Sequence, residues 1–388
     1  MHTPLRRTVP HSIERDERSR RTRWLAAVAV GLAVAAFPFL RTAEAATVAS
    51  RISGSDRYVT AANVSAGAFS PGVPVVYVAT GTAFPDALAG AAAAGKQGGP
   101  VLLTQSTSLP TATANELDRL NPGKIIVLGG TTAVSQAVFD QLDQYTDGTV
   151  TRISGNNRYE TAAALSAATF PTAPINTVYV ATGQDFPDAL AGGPAAINAP
   201  GLGGPILLVL SNSIPNATKT ELTRLGATQV VVLGGPSAVS DSVKNQLDPY
   251  STNEVIRRAG ADRYLTAVEI SKNTAAFNGT ETVYLATGRN FPDALAAGSP
   301  AGIAHGPVLL TQPTCIPKEV NDEITRLDPD KLIVLGGTSA VSDAVLARTV
   351  CDPSASSSST SFPCPSFTFP GGGSVPCDPS DFSIPSQP

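Results

Sequence analysis

The chain has 388 residues, enough for two or three ordinary domains, and carries 27 Lys and Arg against 31 Asp and Glu. An acidic balance argues against nucleic acid as a partner, because phosphate contacts need a basic face. Three His and four Cys are too few, and wrongly spaced, for a zinc centre, so no metal and no cofactor is expected.

Reading from the N-terminus, Arg6, Arg7, Arg15, Arg18, Arg20, Arg21 and Arg23 form a basic stretch, and an apolar run from Trp24 to Leu40 follows. Ala43-Glu44-Ala45 supplies the small-x-small pattern that signal peptidase reads, which makes residues 1–45 a signal peptide and Ala46 the new N-terminus. A membrane anchor is the alternative, but the run is short, Ala-rich and contains Pro38. Ser19-Arg20-Arg21 resembles a twin-arginine start, and the residues after it depart from that pattern, so the export route stays open. With the leader go eight Arg and four acids, which takes the net charge from −4 to −8. The remaining His is His305, and the Cys are Cys315, Cys351, Cys364 and Cys377. Export permits disulfides, three pairings are open, and Cys315–Cys351 with Cys364–Cys377 is the expected set.

One pattern then occurs three times in fixed order. Arg57-Tyr58 recurs as Arg158-Tyr159 and Arg263-Tyr264, each preceded by Asp56, Asn157 or Asp262 in N-cap position. Phe84-Pro85-Asp86-Ala87-Leu88 recurs around Asp188 and Asp293. Pro100-Val101-Leu102-Leu103 recurs with Leu207-Leu208 and Leu309-Leu310, and the turn Gly129-Gly130 recurs as Gly234-Gly235 and Gly336-Gly337. A period of roughly a hundred residues is a whole small domain rather than a solenoid unit. The modules are read as 51–149, 150–254 and 255–351, each opening on a short strand near Arg51-Ile52 or its counterpart. Short β-branched runs such as Val75-Val76-Tyr77-Val78-Ala79 alternate with helical stretches, which predicts an α/β fold of parallel sheets. The tail, 352–388, is rich in Ser, Pro and Gly and is read as disordered.

These motifs resemble the type 2 cell-wall-binding repeat family, over nearly all of residues 51–351. The resemblance implies three tandem Rossmann-like or Toprim-like parallel-sheet modules around a pseudo-threefold axis. It also implies non-covalent attachment to an anionic wall polymer of a Gram-positive-type surface, teichoic-acid-like or acidic polysaccharide. Members usually join the repeats to a separate effector domain, and none is recognised here.

Four sets of residues are candidates for polymer contact. Arg57, Arg158 and Arg263 stand at helix starts, where free N–H groups and a guanidinium together suit an anion; the competing role is pairing with an acid such as Asp86 or bonding a carbonyl at a module interface. Arg51, Arg152 and Arg257 repeat too and are read as structural. Asp86, Asp188 and Asp293 follow strand–Gly–loop elements and could hold a sugar hydroxyl, or simply favour the helix dipole. Gly129, Gly130, Gly234, Gly235, Gly336 and Gly337 form strand-to-helix turns whose N–H groups could take phosphate. Leu102, Leu103, Leu207, Leu208, Leu309 and Leu310 read as core strand, although the resemblance places polymer recognition on this element.

The expected function is a non-catalytic binding module with three equivalent sites and avidity for a repeating polymer. The partner is an anionic wall polymer, with no nucleic acid and no membrane after leader removal, at the cell wall or cell surface. Two alternatives remain open: an amidase-type wall hydrolase, for which any triad must use His305, and a surface-layer or adhesion scaffold using the tail as partner segment.

Overall fold

The computed structural model describes residues 47–82, 88–290 and 292–352. The expected signal peptide, Asp86, and the tail beyond 352 with its expected Cys364–Cys377 pair lie outside them. In chain order module 1 contains β1 (Val48–Ile52), α1 (Arg57–Ala68), β2 (Val76–Thr80), α2 (Gly90–Lys96), β3 (Val101–Thr104), α3 (Thr111–Leu120), β4 (Lys124–Leu128) and α4 (Gln136–Gln141). Module 2 repeats the order with β5 (Thr149–Ile153), α5 (Arg158–Thr169), β6 (Thr177–Thr182), α6 (Pro187–Ile197), β7 (Ile206–Val209), α7 (Asn216–Leu225), β8 (Gln229–Leu233) and α8 (Asp241–Gln246). Module 3 has β9 (Ile256–Arg258), α9 (Arg263–Lys272), β10 (Thr282–Thr287), α10 (Pro292–Ile303), β11 (Val308–Thr311), α11 (Lys318–Leu327), β12 (Lys331–Leu335) and α12 (Asp343–Leu346). The central strands β2 and β6 are buried along their whole length, as the apolar β-branched runs require of a parallel sheet covered on both faces.

The sheets do not respect the boundaries read from the sequence. Each is four-stranded and wholly parallel, in the orders β3-β2-β4-β5, β7-β6-β8-β9 and β11-β10-β12-β1. The opening strand of module 2 therefore completes the sheet of module 1, and that of module 3 completes module 2. The ring closes when β1, the first described strand, pairs with β12, the last, along Val48–Ile52 and Lys331–Leu335. An Arg on each exchanged strand fastens it. Arg51, Arg152 and Arg257 donate through Nη1 to the carbonyls of Gly336, Gly129 and Gly234 at 2.6, 2.9 and 2.6 Å, so these three are structural.

The pseudo-threefold arrangement is built on small residues. α2, α6 and α10 pack together at the centre of the ring, and the equivalent positions Ala91, Gly193 and Gly298 meet there. A Cβ at Gly298 would come within 2.6 Å of the Ala91 Cβ, so one copy of this layer cannot carry a side chain. In the next layer the large Ile197 fills the space left by Gly95 and Gly302, whose added Cβ atoms would both lie 2.3 Å from its Cδ1. Close packing at the axis is thus obtained by making the three copies unequal.

The Cys315–Cys351 bond is present, as expected. It supports the end of module 3, after α12: Ile316 N–H donates to Thr349 O and Cys351 N–H to Ile316 O. Among the described residues no helix is long and apolar enough to cross a membrane.

The closure by β1 makes a specific prediction. Arg51→Ala removes a charge-assisted bond to Gly336 and should cost about 1.5–3 kcal/mol. Hydrogen exchange should show the loss of protection first in residues 331–335. An equal loss across all three sheets would contradict the closure.

Candidate functional site

The strand exchange decides where a ligand can sit. Parallel α/β sheets gather ligands at the carboxyl ends of their strands. Here those ends are roofed by the loop and helix start that follow the exchanged strand, which belong to the next module. Two open clefts lie at equivalent junctions. That between modules 1 and 2, about 320 Å³, is lined by Thr80, Thr82, Ser106, Thr132, Asn156 and Arg158 among others. That between modules 2 and 3, about 240 Å³, includes Asp185, Asp188, Gly235, Ser237, Asp262 and Arg263. At the third junction Asp293 of module 3 faces Arg57 of module 1 and is hydrogen-bonded with Thr60.

Each Arg works for its own module and faces its neighbour. Arg57, Arg158 and Arg263 donate through Nη1 to the carbonyls of Gly81, Gly183 and Gly288, the glycine that follows the central strand of the same module. Arg263 also lies 3.5 Å from Asp185 Oδ2 and stacks 5.8 Å from the Phe186 ring, both in module 2. The carbonyl partner is thus within the module, and for Arg57 and Arg263 the facing acid comes from the preceding one around the ring.

Two expectations about free N–H groups are corrected. The helix starts are already capped: Asp56 Oδ1 accepts from Tyr58 N and Val59 N at 2.9 Å, and Asn157 and Asp262 do the same for α5 and α9. The cap residue has taken the donors an anion would use, leaving the guanidinium as the cationic element. In the Gly-Gly turns the first glycine is buried at positive φ (+93°, +98° and +96° at Gly129, Gly234 and Gly336), and its N–H donates to Ile153, Arg258 or Ile52 of the exchanged strand. Gly130, Gly235 and Gly337 are half-buried, and the first two line the clefts. The six Leu are 0–1% exposed within β3, β7 and β11, so they face the core rather than a ligand and act by placing the loops that follow them.

In modules 2 and 3 the Asp of the repeat is held against the first glycine. A Cβ at Gly234 would lie 2.1 Å from Asp188 Oδ2, and one at Gly336 would lie 2.4 Å from Asp293 Oδ2. Glycine is required there by both φ and space. Burial pushes the Asp188 carboxyl up to about 6, with the nearby Asp185 adding and Arg263 opposing. Burial also raises Asp293, against Arg57 and the Thr60 hydrogen bond.

Among the described residues the three junctions differ in their side chains. Cleft 1/2 presents Arg158 among hydroxyls and the side chains of Asn156 and Asn157. Cleft 2/3 sets three carboxylates, Asp185, Asp188 and Asp262, around Arg263. Junction 3/1 carries an exposed Arg289 where the others have Thr82 and Gln184. Elsewhere, His305 Nδ1 is bonded to Asn198 Oδ1 beside the central helices and lines neither cleft. Among the described residues no group of three or more His, Cys, Asp or Glu could hold a metal. The sequence reading missed one further element, a buried Glu paired with Arg one turn later (Glu116–Arg119, Glu221–Arg224, Glu323–Arg326), which ties the third helix of each module to the loop after its first.

Comparison with known proteins agrees with this architecture. The family model described as cell wall binding domain 2 (CWB2) matches residues 51–139, 152–244 and 257–346. The N-acetylmuramoyl-L-alanine amidase LytC of Bacillus subtilis (strain 168) is 31% identical over 194 residues, which is 50% of this chain and 37% of the relative. The amidase enhancer of the same organism is 31% identical over 196 residues, 50% of this chain and 25% of the relative. The chain thus spans well under half the length of these relatives. Among solved structures, Cwp6 from Clostridium difficile superposes with a TM-score of 0.72 at 24% identity, covering 79% of this chain and 48% of the other. Cwp8 from the same organism gives 0.67 at 25% identity, covering 76% and 50%.

The Asp188 carboxyl sets a pH dependence. Its pKa is raised in the folded state, so its contribution to stability is full below about 4 and is lost as pH rises through about 6. Asp188→Asn removes the cost of ionising a buried acid. The variant should gain on the native chain by about 2–3 kcal/mol between pH 4 and pH 8, read as the difference between two denaturant-midpoint curves. Parallel curves would show that Asp188 titrates normally.

Proposed function

The chain belongs to the cell wall binding domain 2 family, and we propose that it binds the cell wall non-covalently by holding an anionic wall polymer in the junction clefts, without catalysis of its own. The observation that carries this reading is cleft 1/2, where the described lining residues bring the Arg158 guanidinium together with hydroxyl and amide side chains in a groove open to solvent. A guanidinium offers forked donors that suit phosphate and carboxylate groups, and side-chain amides and hydroxyls suit the sugar or polyol between them. A net charge near −8 for residues 46–388 does not oppose this, since the field of distant surface charges is screened within about 8 Å at physiological salt.

The junctions divide the work. Cleft 1/2 and junction 3/1, with Arg158 and with Arg57 and Arg289, favour the anionic groups. Cleft 2/3 repels them while Asp185, Asp188 and Asp262 are ionised, and gains positive charge as Asp188 takes a proton near pH 6. Two junctions with guanidinium donors on one ring raise retention on a repeating polymer above that of either alone. The chain then serves as an anchor at the cell surface. The amidase and the amidase enhancer enter this reading only as proteins that share the repeats.

The decisive experiment is sedimentation of the full chain with purified walls before and after chemical removal of their anionic polymers. Binding should disappear with the polymers; undiminished binding would overturn the proposal. Release of soluble peptidoglycan fragments by the pure protein would overturn its non-catalytic part.

A charge exchange at the caps separates binding from folding. Asn157→Asp keeps a good N-cap, as Asp56 and Asp262 demonstrate in the same position, yet adds a carboxylate to cleft 1/2. Because Asn157 Nδ2 also donates to Glu160 Oε1, the variant should lose a little stability, and it should weaken wall binding by roughly two- to fivefold at low salt. Asp262→Asn should strengthen binding in the opposite sense. Identical affinities for both variants and the native chain would remove the clefts from the binding surface.

A further inference from the structure

A second pocket, of about 150 Å³, lies at the junction of modules 2 and 3 between the sheet and α9. Its walls come from β6, β8 and β9 on one side and from the last turn of α9 on the other, with Tyr179, Val231, Ile256, Arg258, Ile270 and Asn273 prominent. Arg263, in the cleft described above, opens α9, and Asn273 closes it, so ten residues and about 15 Å of helix separate the two cavities.

The pocket is peculiar to this junction. The position of Arg258 is Ile52 and Ile153 in the other two copies, and the position of Asn273 is Gly67 and Ala168. At the other junctions an Ile therefore packs toward the first helix of the following module; Gly67, for example, lies in contact range of Ile52 Cδ1. Here a half-buried guanidinium replaces it. Ile256 and Arg258 share a face of β9, being two residues apart, while Arg257 between them points to the Gly234 carbonyl.

Nothing described neutralises Arg258. Among the described residues no carboxylate lies within ion-pair distance of it and its guanidinium forms no hydrogen bond, in contrast to Arg51 and Arg257. The acid one turn back on α9, Glu269, is engaged by Asn273 Nδ2 at 3.3 Å. The last carbonyls of the helix are also taken: Glu269 O accepts from Asn273, and Ile270 O from Thr274 Oγ1. The Arg is thus not there as a helix C-cap. Its electrostatic neighbour is the Tyr179 phenol, which burial pushes up to about 12 and which donates to Ala195 O at a long 3.4 Å. A partly buried cation against apolar walls costs free energy unless an anion accompanies it.

We propose that the Arg258 pocket is a binding site for a small oxyanion, carboxylate, phosphate or sulfate, borne by the wall polymer or free in solution. The guanidinium supplies two parallel N–H donors, and the apolar walls of Val231, Ile256 and Ile270 lower the local dielectric and strengthen the contact. The site is distinct from the junction clefts: its lining shares no residue with cleft 2/3, and its Arg is present in one copy only.

The test is calorimetric titration of the full chain at pH 7 and low salt with inorganic phosphate and, separately, with glucuronate. One saturable millimolar site is expected, weakened at least about tenfold in Arg258→Ile, a variant that installs the residue of the other two junctions. The tighter of the two identifies the group, phosphate or carboxylate, and competition of that ion by soluble wall polymer identifies the polymer as its source, whereas no competition identifies a free ion. Asn273→Ala provides a second route should Arg258→Ile fail to fold: it releases Glu269 toward the pocket and should weaken the same site severalfold. Equal titrations of the native chain and either folded variant, or no saturable binding, would overturn the proposal. Wall sedimentation run in parallel keeps the two readings apart, since Arg258→Ile leaves the clefts intact and should still sediment with walls.

Discussion

One constraint governs this molecule: no module completes its own sheet. The fourth strand always comes from the next copy around the ring, and β1 supplies it for module 3. Because β4, β8 and β12 end in a Gly-Gly turn paired with that strand, the loop after the strand must rise over the turn. This brings an Arg and a capped helix of one module above the Asp of another, as Asp188 with Arg263 and Asp293 with Arg57 show. The clefts are therefore properties of junctions. A single isolated repeat would hold half of each cleft and an unpaired sheet edge, which proteins otherwise avoid exposing.

Much of this was legible in the sequence. Fixed-order motifs gave three modules, β-branched runs gave parallel strands, and Asp56, Asn157 and Asp262 were read as caps. A repeat has no intrinsic starting point, however, and the pattern is the same whichever sheet receives its first strand, so the exchange was invisible. The backbone partners of Arg57, Arg158 and Arg263 were equally hidden, because carbonyls carry no sequence signal. The expectation of anion-accepting N–H groups failed at the helix starts for a reason already on the page: the cap that marks such a start is the group that consumes its donors. Arg258 was within reach, since comparing the copies position by position sets it against Ile52 and Ile153.

The differences between copies carry more functional information than their likeness. Shared residues mostly build the ring: the small residues on the axis, the Glu–Arg pairs, the Asp packed over its glycine. What varies sits at the rims. Thr82, Gln184 and Arg289 occupy one position; Asn156 and Ala261, or Asn157 and Asp262, occupy others. Asp185, where the other copies have Ala83 and Asn290, and Asp262, where module 2 has Asn157, make cleft 2/3 the acidic one, with Arg263 already shared between Asp185 and Asp188.

Unequal junctions also follow from how the axis is packed. Three identical large side chains cannot meet on a threefold axis at helix-contact distance, and three glycines would leave a void. The ring solves this with one Ile197 between Gly95 and Gly302, which commits α6 to a role that α2 and α10 do not share. Asn198 follows directly on Ile197 and bonds both the Gly302 carbonyl and His305, so module 2 is tied to module 3 by contacts without counterparts around the ring. Junction 2/3 carries these ties, the acidic cleft and the Arg258 pocket together. Once the axis is unequal, substitutions at one junction no longer need to suit the other two, and that freedom is where a polymer-binding ring can acquire a site of a different kind.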